Sequence, residues 1–273
     1  MTIDEAISYG KSKIHSDHAK LLLSDLLNIN PLELLLHLEE EIEEEKYEIF
    51  KKEVDALKEN KPIQYVLESA NFYGNKFYIN KNVLIPRFET EELVEKTIAK
   101  ALELFDKPVD IIDIGTGSGV IGLTLERNLD TNSIDLIDIS KEALEVTNIN
   151  INNMNSKAKT IESDIFENIT KKYDIIISNP PYIKTDEEIE DIVKENEPHI
   201  ALYAGIDGLD VYKKILSTIK PHMKNKCLIA FEIGADQADD LKKLVKDNLG
   251  NVDIEIKKDL QDRDRMLFIT IDK

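Results

Sequence analysis

The chain has 273 residues, which is long enough for one large domain or for a small domain followed by a larger one. Its 42% hydrophobic and 33% charged residues are typical of a globular protein and exclude collagen-like, low-complexity and wholly disordered chains. The 54 acidic residues outnumber the 35 basic ones and give a net charge of −19. This excess disfavours a broad DNA or RNA footprint, because phosphate binding needs a basic surface.

Three further features concern the compartment and the partners. Cys227 is the single cysteine, so the chain can form no intramolecular disulfide and no cysteine zinc cluster. Residues 1–10 lack the apolar run of a signal peptide, and no window approaches the roughly 18 apolar residues of a membrane helix. We therefore expect a soluble, cytoplasmic protein with no membrane partner, no direct nucleic-acid partner and no metal site.

Residues 1–60 predict helices only. Thr2 and Glu5 have the spacing of a capping box at the start of the first helix, and a second helix follows. Asn30-Pro31 predicts the start of a third, since proline is favoured in the first helical turn. A fourth helix is predicted over residues 39–59, where apolar residues recur at helical spacing. This part of the chain is expected to form a small helical domain.

The pattern changes after Pro62. Two aromatic pairs, Phe72-Tyr73 and Phe77-Tyr78, flank Gly74-Asn75. A two-residue segment of this type between such runs predicts a β-hairpin. We interpret residues 61–88 as a connector that carries this hairpin and joins the helical domain to the rest of the chain.

Strand and helix patterns alternate over residues 89–273, beginning with a helix predicted from Thr90 to Phe105. Runs such as Ile175-Ile176-Ile177 are apolar on both faces, as in buried parallel strands. This alternation indicates an α/β fold with a doubly wound sheet. Seven strands ending in an antiparallel pair favour the seven-stranded, Rossmann-like fold of class I S-adenosylmethionine methyltransferases. The predicted strands are 109–114, 134–139, 160–163, 173–178, 228–232, 252–257 and 266–271.

A glycine-rich segment, Asp113 to Gly119, stands where the first of these strands turns into a helix. Its glycines, Gly115, Gly117 and Gly119, let the backbone approach a ligand closely, and the next helix offers free amides. Asp138 lies at the end of the next strand, where a carboxylate can accept both hydroxyl protons of an adenosine ribose. Dinucleotide-binding proteins use the same two devices, but the Gly-x-Gly-x-Gly spacing favours S-adenosylmethionine over NAD.

The most specific element is Asn179-Pro180-Pro181-Tyr182, called here the acceptor loop, directly after the strand predicted over 173–178. Ligands bind outside the carboxyl ends of strands in an open α/β sheet, so this loop is expected beside the glycine-rich segment. The prolines stiffen the loop and present carbonyl oxygens, and Asn179 adds a side-chain carbonyl oxygen. Two such acceptors suit a substrate NH2 group, and Tyr182 supplies an aromatic wall. The loop therefore predicts methyl transfer to an exocyclic or amide nitrogen.

The sequence resembles the peptide-chain release factor glutamine methyltransferases, the PrmC/HemK family, over essentially its full length. The resemblance rests on the order and spacing of several motifs. These are Lys61 to Val66, Ile85 to Glu91, Asp113 to Gly119, Asn179 to Tyr182, Glu197-Pro198, Gly205 to Leu209, Phe231 to Gly234 and Asp262 to Arg265. A helical N-terminal domain and a hairpin before the catalytic domain are also features of that family.

The resemblance implies methyl transfer from S-adenosylmethionine to the N5 amide nitrogen of the glutamine in the Gly-Gly-Gln loop of release factors, with S-adenosylhomocysteine as product. It also implies that Asn179 and the Pro180 carbonyl group are the catalytic residues that hold the target amide. Pro181 and Tyr182 would complete the substrate-binding wall. The helical domain, residues 1–60, is expected to recognise the release factor away from its loop.

The cofactor-binding residues are implied in the same way. Pro86, Arg87 and Thr90 are expected to close the site from the N-terminal side, although Arg87 could instead form a surface ion pair with Glu89 or Glu91. Thr90 is also predicted as the N-cap of its helix. The implied set is Pro86, Arg87, Thr90, Asp113, Gly115, Thr116, Gly117, Ser118, Gly119, Asp138, Ile139, Asp164, Ile165 and Asn179.

Two other functions fit part of the sequence. A DNA adenine-N6 methyltransferase would share the acceptor loop, but the net charge of −19 disfavours it. A non-catalytic protein that only binds S-adenosylmethionine would have no use for an intact acceptor loop.

Overall fold

The computed structural model describes residues 1–272, and their packing separates two compact units. The helical unit contains Met1–Ser69 together with Glu190–Asn196. The sheet unit contains Ala70–Ile189 together with the chain from Glu197 onward.

The predicted domains, 1–60, 61–88 and 89–273, remain a prediction, and the compact units have different limits. Within the predicted connector, Ile63 packs against the core of the helical unit, whereas the hairpin residue Phe72 belongs to the core of the sheet unit. The connector is thus divided between the two units because its apolar side chains are buried in two separate cores.

The helical unit is built around the buried side chains of Ile7, Leu22, Leu23 and Phe50. The capping box is formed, with the Thr2 and Glu5 side chains each accepting a hydrogen bond from the other residue's backbone N–H. The helices are α1 (Ile3–Lys11), α2 (Ser16–Leu27), α3 (Glu44–Lys58), α4 (Ile63–Val66) and, from later in the chain, α8 (Asp191–Asn196).

Two helix predictions in this unit are wrong. No α-helix begins at Asn30-Pro31, where the Asn30 side chain instead closes a turn on Leu32 N and only a 3₁₀ turn, Leu34–Leu36, follows. The helix predicted from residue 39 begins at Glu44. The segment before it turns at Leu38 and Glu39 and forms an isolated bridge at Glu41, and its carbonyl groups accept hydrogen bonds from the N-terminal residues, including Ile3 N to Glu40 O at 3.0 Å.

Replacing Gly10 with alanine is expected to destabilise the helical unit. A Cβ atom on Gly10 of α1 would lie 2.7 Å from Ala19 Cβ and 2.9 Å from Phe50 Cζ. The gain in helix propensity is about 0.5–1 kcal/mol, whereas overpacking a core costs about 1–3 kcal/mol. We therefore expect a net loss of about 1–2 kcal/mol in the free energy of unfolding measured with urea. The matched control is Ser8→Ala on the exposed face of α1, and equal stability of the two variants would contradict the account.

The hairpin consists of β1 (Ser69–Phe72) and β2 (Asn75–Tyr78). Its turn residues are Tyr73 and Gly74, one position earlier than predicted. Both have positive φ, 47° and 74° respectively, which is the conformation of the turn that best matches the twist of paired strands.

The sheet has seven strands, and the α/β prediction is confirmed. The strands are β3 (Val109–Ile114), β4 (Thr131–Asp138), β5 (Lys159–Glu162), β6 (Tyr173–Ser178), β7 (Met223–Glu232), β8 (Asp253–Lys258) and β9 (Asp264–Asp272). Their order is β5-β4-β3-β6-β7-β9-β8, and every neighbouring pair is parallel except the two that involve β9.

Helices cover both faces of this sheet. Side chains alternate along each strand, so Ile111 and Ile175 belong to one core and Ile112 and Ile176 to the other. The helices are α5 (Phe88–Leu104), α6 (Val120–Asn128), α7 (Lys141–Met154), α9 (Asp210–Thr218) and α10 (Ala238–Leu249). Within residues 1–272, no helix combines the length and the apolar character needed to cross a membrane.

The strand order brings the two predicted loops together. β3 pairs with β4 on one side and with β6 on the other. Strands β4 and β5 are therefore added on one side of β3 and the later strands on its other side, so the strand order reverses at β3. Ile114 and Ser178, the last residues of β3 and β6, are paired, and the Ser178 hydroxyl donates to Ile114 O at 2.6 Å. The glycine-rich segment and the acceptor loop therefore leave the sheet side by side, at the position where open α/β sheets bind ligands.

Candidate active site

A cavity of about 340 Å³ lies at the carboxyl ends of β3, β4 and β6. Eleven of the predicted cofactor residues line it, and three of the four residues of the acceptor loop do as well. The lining residues among those predicted are Pro86, Thr90, Gly115, Thr116, Gly117, Ser118, Asp138, Ile139, Asp164, Ile165, Asn179, Pro180 and Pro181. The individual binding roles of these residues remain predictions, but the structure brings them to one place.

The glycine-rich loop is fixed by its neighbours. Gly115, Gly117 and Gly119 have φ values of 68°, 55° and 83°, which favour glycine. Gly117 N donates to Asp138 Oδ2 at 3.0 Å, and the Thr147 hydroxyl donates to Gly117 O at 2.7 Å. The loop is thus held in a conformation that an L side chain would strain. Gly119, although predicted to contact the cofactor, does not line the cavity and is the N-cap residue of α6.

Asp113 lies beneath the loop and does not line the cavity. Its Oδ2 atom accepts hydrogen bonds from the Thr116 hydroxyl at 2.6 Å and from Gly122 N at 3.1 Å. Burial raises the pKa of Asp113 to about 7, against the effect of these two hydrogen bonds, and the negative charge of Asp138 adds to the increase. Its contact with a cofactor stays a prediction, and what the structure shows is a side chain that supports the loop.

Asp138 ends β4 and faces the cavity. Each carboxylate oxygen accepts one backbone hydrogen bond, Oδ2 from Gly117 N and Oδ1 from Ser140 N at 2.9 Å. Burial raises the pKa of this carboxyl group, and the backbone N–H groups oppose that shift. A carboxylate has about four acceptor positions, so two remain for the hydroxyl groups of a ligand.

The acceptor loop presents Asn179, Pro180 and Pro181 to the cavity. Asn179 Nδ2 donates to the Thr90 hydroxyl oxygen at 3.1 Å, which leaves the Asn179 side-chain oxygen available to a ligand. Tyr182 is placed differently, because its ring packs against the core and its hydroxyl lies 3.4 Å from Glu232 Oε1. A role for Tyr182 as a substrate wall stays a prediction.

The predicted N-cap role of Thr90 and the alternative ion pair of Arg87 with Glu89 or Glu91 are wrong, whereas a contact of Arg87 or Thr90 with the cofactor stays a prediction. Thr90 is not the N-cap of α5, since Arg87 occupies that position and the Thr90 hydroxyl donates to Glu232 Oε2 at 2.6 Å. Arg87 forms an ion pair with Glu197, not with either of the nearby glutamates of its own helix. Arg87 does not line the cavity, and its guanidinium also donates to Ile85 O at 3.0 Å.

Two buried carboxylates support the site and were given no role from the sequence, although both lie in motifs of the family resemblance. Glu197 is 4% exposed, pairs with Arg87 and accepts a hydrogen bond from Ile85 N at 3.1 Å, so it fixes the segment before α5. Glu232 ends β7 and is 1% exposed, with Thr90 as its closest partner. A glutamate at the carboxyl end of a strand next to β6 was the available signal for the second of these.

The cavity fits S-adenosylmethionine. Its apolar side chains, Ile139 and Ile165 among them, suit an adenine ring, and Asp138 suits the ribose hydroxyls. The glycine loop at the start of α6 lets the backbone approach a ligand closely, and a Cβ at Gly115 would be excluded by its φ rather than by crowding.

The sheet order, the glycine loop and the acceptor loop together define a class I S-adenosylmethionine-dependent methyltransferase. Residues 91–197 match the family model of the methyltransferase small domain, and residues 11–67 match that of the PrmC N-terminal domain. The release factor glutamine methyltransferase of Bacillus subtilis is 37% identical over 100% of this chain and 99% of its own length. That of Clostridium acetobutylicum is 37% identical over 94% of this chain and 91% of its own length. The chain belongs to the release factor glutamine methyltransferase family, and the resemblance to PrmC/HemK proteins is confirmed.

Solved structures support the fold alone. A methyltransferase from Pyrococcus furiosus has a TM-score of 0.55 and 15% identity, over 74% of this chain and 91% of the other. The ribosomal protein L11 methylase of Lactobacillus delbrueckii subsp. bulgaricus has a TM-score of 0.53 and 18% identity, over 71% of this chain and 84% of the other.

Proposed function

We propose that this chain transfers a methyl group from S-adenosylmethionine to the N5 amide nitrogen of the glutamine in the Gly-Gly-Gln loop of peptide-chain release factors. The observation that carries the proposal is the acceptor loop in the cavity wall, with the Asn179 side-chain oxygen turned away from Thr90. The names of the relatives, which match over almost the whole chain, supply the substrate class.

The acceptor loop can activate the target nitrogen for the reaction. An amide nitrogen is a poor nucleophile because its lone pair is delocalised into the carbonyl group. Two acceptors, Asn179 Oδ1 and the Pro180 carbonyl oxygen, can each bind one hydrogen of the target NH2 group. They raise the electron density on nitrogen and orient its lone pair, so the loop acts through orientation and electrostatics. When bound, S-adenosylmethionine supplies an electrophilic methyl group on a positively charged sulfur.

The helical unit supplies the recognition of the release factor in this proposal. It exposes a group of leucines, Leu32, Leu35 and Leu36, which are 84%, 52% and 81% exposed. Clustered exposed apolar side chains of this size are typical of protein-binding surfaces. Because release factors act in translation, we propose that the reaction takes place in the cytoplasm.

Replacing Leu32 and Leu36 together with serine is expected to lower kcat/KM for the release factor about tenfold, because truncating contact residues costs about 1 kcal/mol or more. The affinity for S-adenosylhomocysteine, measured by calorimetry, should not change. Leu102→Ser is the matched control, since Leu102 is 66% exposed on α5 of the sheet unit. Equal kcat/KM in the double variant and the control would exclude a recognition role for these leucines.

The proposed function is tested with labelled S-adenosylmethionine and three substrates. These are unmethylated release factor, the same factor with its loop glutamine changed to alanine, and unmethylated DNA. Label should enter the first substrate only. Label in DNA alone would support an adenine methyltransferase, and label in neither would support a protein that binds the cofactor without catalysis.

A further inference from the structure

The buried side chains behind the acceptor loop form a continuous path of hydrogen bonds. Asn179 Nδ2 lies 3.1 Å from Thr90 Oγ1, and Thr90 Oγ1 lies 2.6 Å from Glu232 Oε2. Thr90 and Glu232 are 3% and 1% exposed, so water does not compete for the bond between them, whereas Asn179 is half-buried and lines the cavity. We propose that Glu232 is a positioning residue that acts through the Thr90 hydroxyl to keep the carbonyl oxygen of Asn179 facing the cavity, an inference that rests on the proposed function.

The direction of each bond follows from the number of protons available. An ionised carboxylate can only accept, so the single hydroxyl proton of Thr90 is donated to Glu232. The Thr90 oxygen can then only accept from Asn179, which must present its NH2 group. The Asn179 carbonyl oxygen is therefore left for the substrate amide, as the proposed function requires.

Protonation of Glu232 would reverse this path. A carboxyl proton on Oε2 would be donated to Thr90. Among the contacts described, the Thr90 hydroxyl has no acceptor other than Glu232 and Asn179, so its own proton would then be donated to Asn179. The Asn179 side-chain amide would have to turn over and present its NH2 group to the cavity. Two NH2 groups would then face each other, and the target nitrogen would lose one of its two acceptors.

The surroundings of Glu232 bring the protonation of its carboxylate within a physiological pH range. Burial raises its pKa to about 7, and the Glu89 carboxylate contributes in the same direction. The Thr90 hydrogen bond, the Arg265 guanidinium and the Tyr182 hydroxyl oppose this shift. The Tyr212 hydroxyl donates to the Glu232 backbone carbonyl group at 2.6 Å.

The carboxyl proton is expected on Oε2 and not on Oε1. Tyr182 lies on the Oε1 side, and Arg265 Nη1 lies 3.5 Å from the Tyr182 hydroxyl oxygen. A positively charged donor beside that oxygen disfavours a second donor from Glu232. The proton therefore belongs on the side of Thr90, where it reverses the path to Asn179.

The kinetic test compares variants of the full-length enzyme on release factor. For the wild type, kcat should fall about tenfold from pH 8 to about pH 6, because the ionised fraction of Glu232 falls tenfold per unit below its pKa. Thr90→Val should lower kcat about tenfold or more at pH 8 and lack this acidic limb of the pH profile, with the KM for release factor within threefold of wild type. Thr90→Ser should restore both the rate and the limb.

Thr97→Val is the matched control, because Thr97 is buried in the same helix and its hydroxyl donates only to Leu93 O among the contacts described. It should keep the wild-type rate and pH profile. An acidic limb that persists in Thr90→Val, or that disappears in Thr97→Val, would overturn the proposal.

A second measurement needs no methyl transfer and separates this inference from the proposed function. The side-chain NH2 resonances of Asn179 are assigned by NMR from their loss in Asn179→Ser. In the wild type they should shift with a midpoint near pH 7, and in Glu232→Gln they should stay constant. Resonances that do not move in the wild type, or that move equally in Glu232→Gln, would overturn the positioning role, whatever the substrate proves to be.

Discussion

Replacing Asn179 with alanine is expected to lower kcat for methylation of the release factor by about 100-fold or more. The side chain lines the cavity and its carbonyl oxygen is free to accept from the target amide. Losing one directed polar group that stabilises the transition state costs about 2.7–4 kcal/mol. The affinity for S-adenosylhomocysteine should change less than about threefold, because the proposed role concerns the substrate amide and not the binding of the cofactor.

Asn148→Ala provides the control for this prediction. Asn148 is an exposed asparagine on α7 whose side chain donates to Leu144 O, within the same helix. Its replacement should leave kcat and cofactor affinity unchanged. Undiminished turnover in Asn179→Ala would refute the role of the acceptor loop, whereas loss of cofactor binding in that variant would show that Asn179 acts on the cofactor.

Replacing Asp138 with alanine is expected to weaken binding of S-adenosylhomocysteine about 50-fold or more. Hydrogen bonds to a charged group contribute about 1.5–3 kcal/mol, and this carboxylate can accept from a ribose while holding Gly117 N. The affinity of Asp138→Asn should lie between those of the wild type and Asp138→Ala, with a loss of about tenfold, because asparagine keeps one acceptor oxygen. Both values are measured by calorimetry.

The control for the Asp138 variants is Asp130→Ala. Asp130 is an exposed residue directly before β4. This change should leave cofactor affinity within twofold of the wild type. Equal affinities for all three variants would place the ribose elsewhere in the cavity.

The parts of the fold that could be predicted are those with a local signal. The ends of β3 and β6 were predicted at the observed residues, since both are apolar runs followed by loop residues, Gly115 in one case and Asn179-Pro180 in the other. The hairpin was predicted but its turn was placed one residue late, because Tyr73 adopts a positive φ that is uncommon for a residue other than glycine.

The errors have a different origin. The prediction of a third helix is wrong because the Asn30 side chain closes a turn on Leu32 N. The fourth helix begins later than predicted because residues before Glu44 are paired with the N-terminus. The pairing with the N-terminus is a tertiary effect that overrides helix propensity and leaves no trace in a local window, whereas the Asn30 turn is a local competitor of the helix.

The two loops of the site could be predicted from the sequence, but the buried side chains that hold the site in place could not. The glycine-rich segment and the acceptor loop are contiguous in sequence, and the rule for parallel sheets places them together. The contacts of Thr90 with Glu232 and of Arg87 with Glu197 join residues 142 and 110 positions apart. No spacing rule connects such residues, so these pairings emerge only from the folded structure.

The central claim is tested most directly by tandem mass spectrometry of the release factor after incubation with this enzyme and S-adenosylmethionine. The account predicts one added methyl group, located on the glutamine of the Gly-Gly-Gln loop, and no such product with Asn179→Ala. A methyl group on any other residue, or an unmodified release factor accompanied by methylated adenine in a parallel DNA sample, would contradict it.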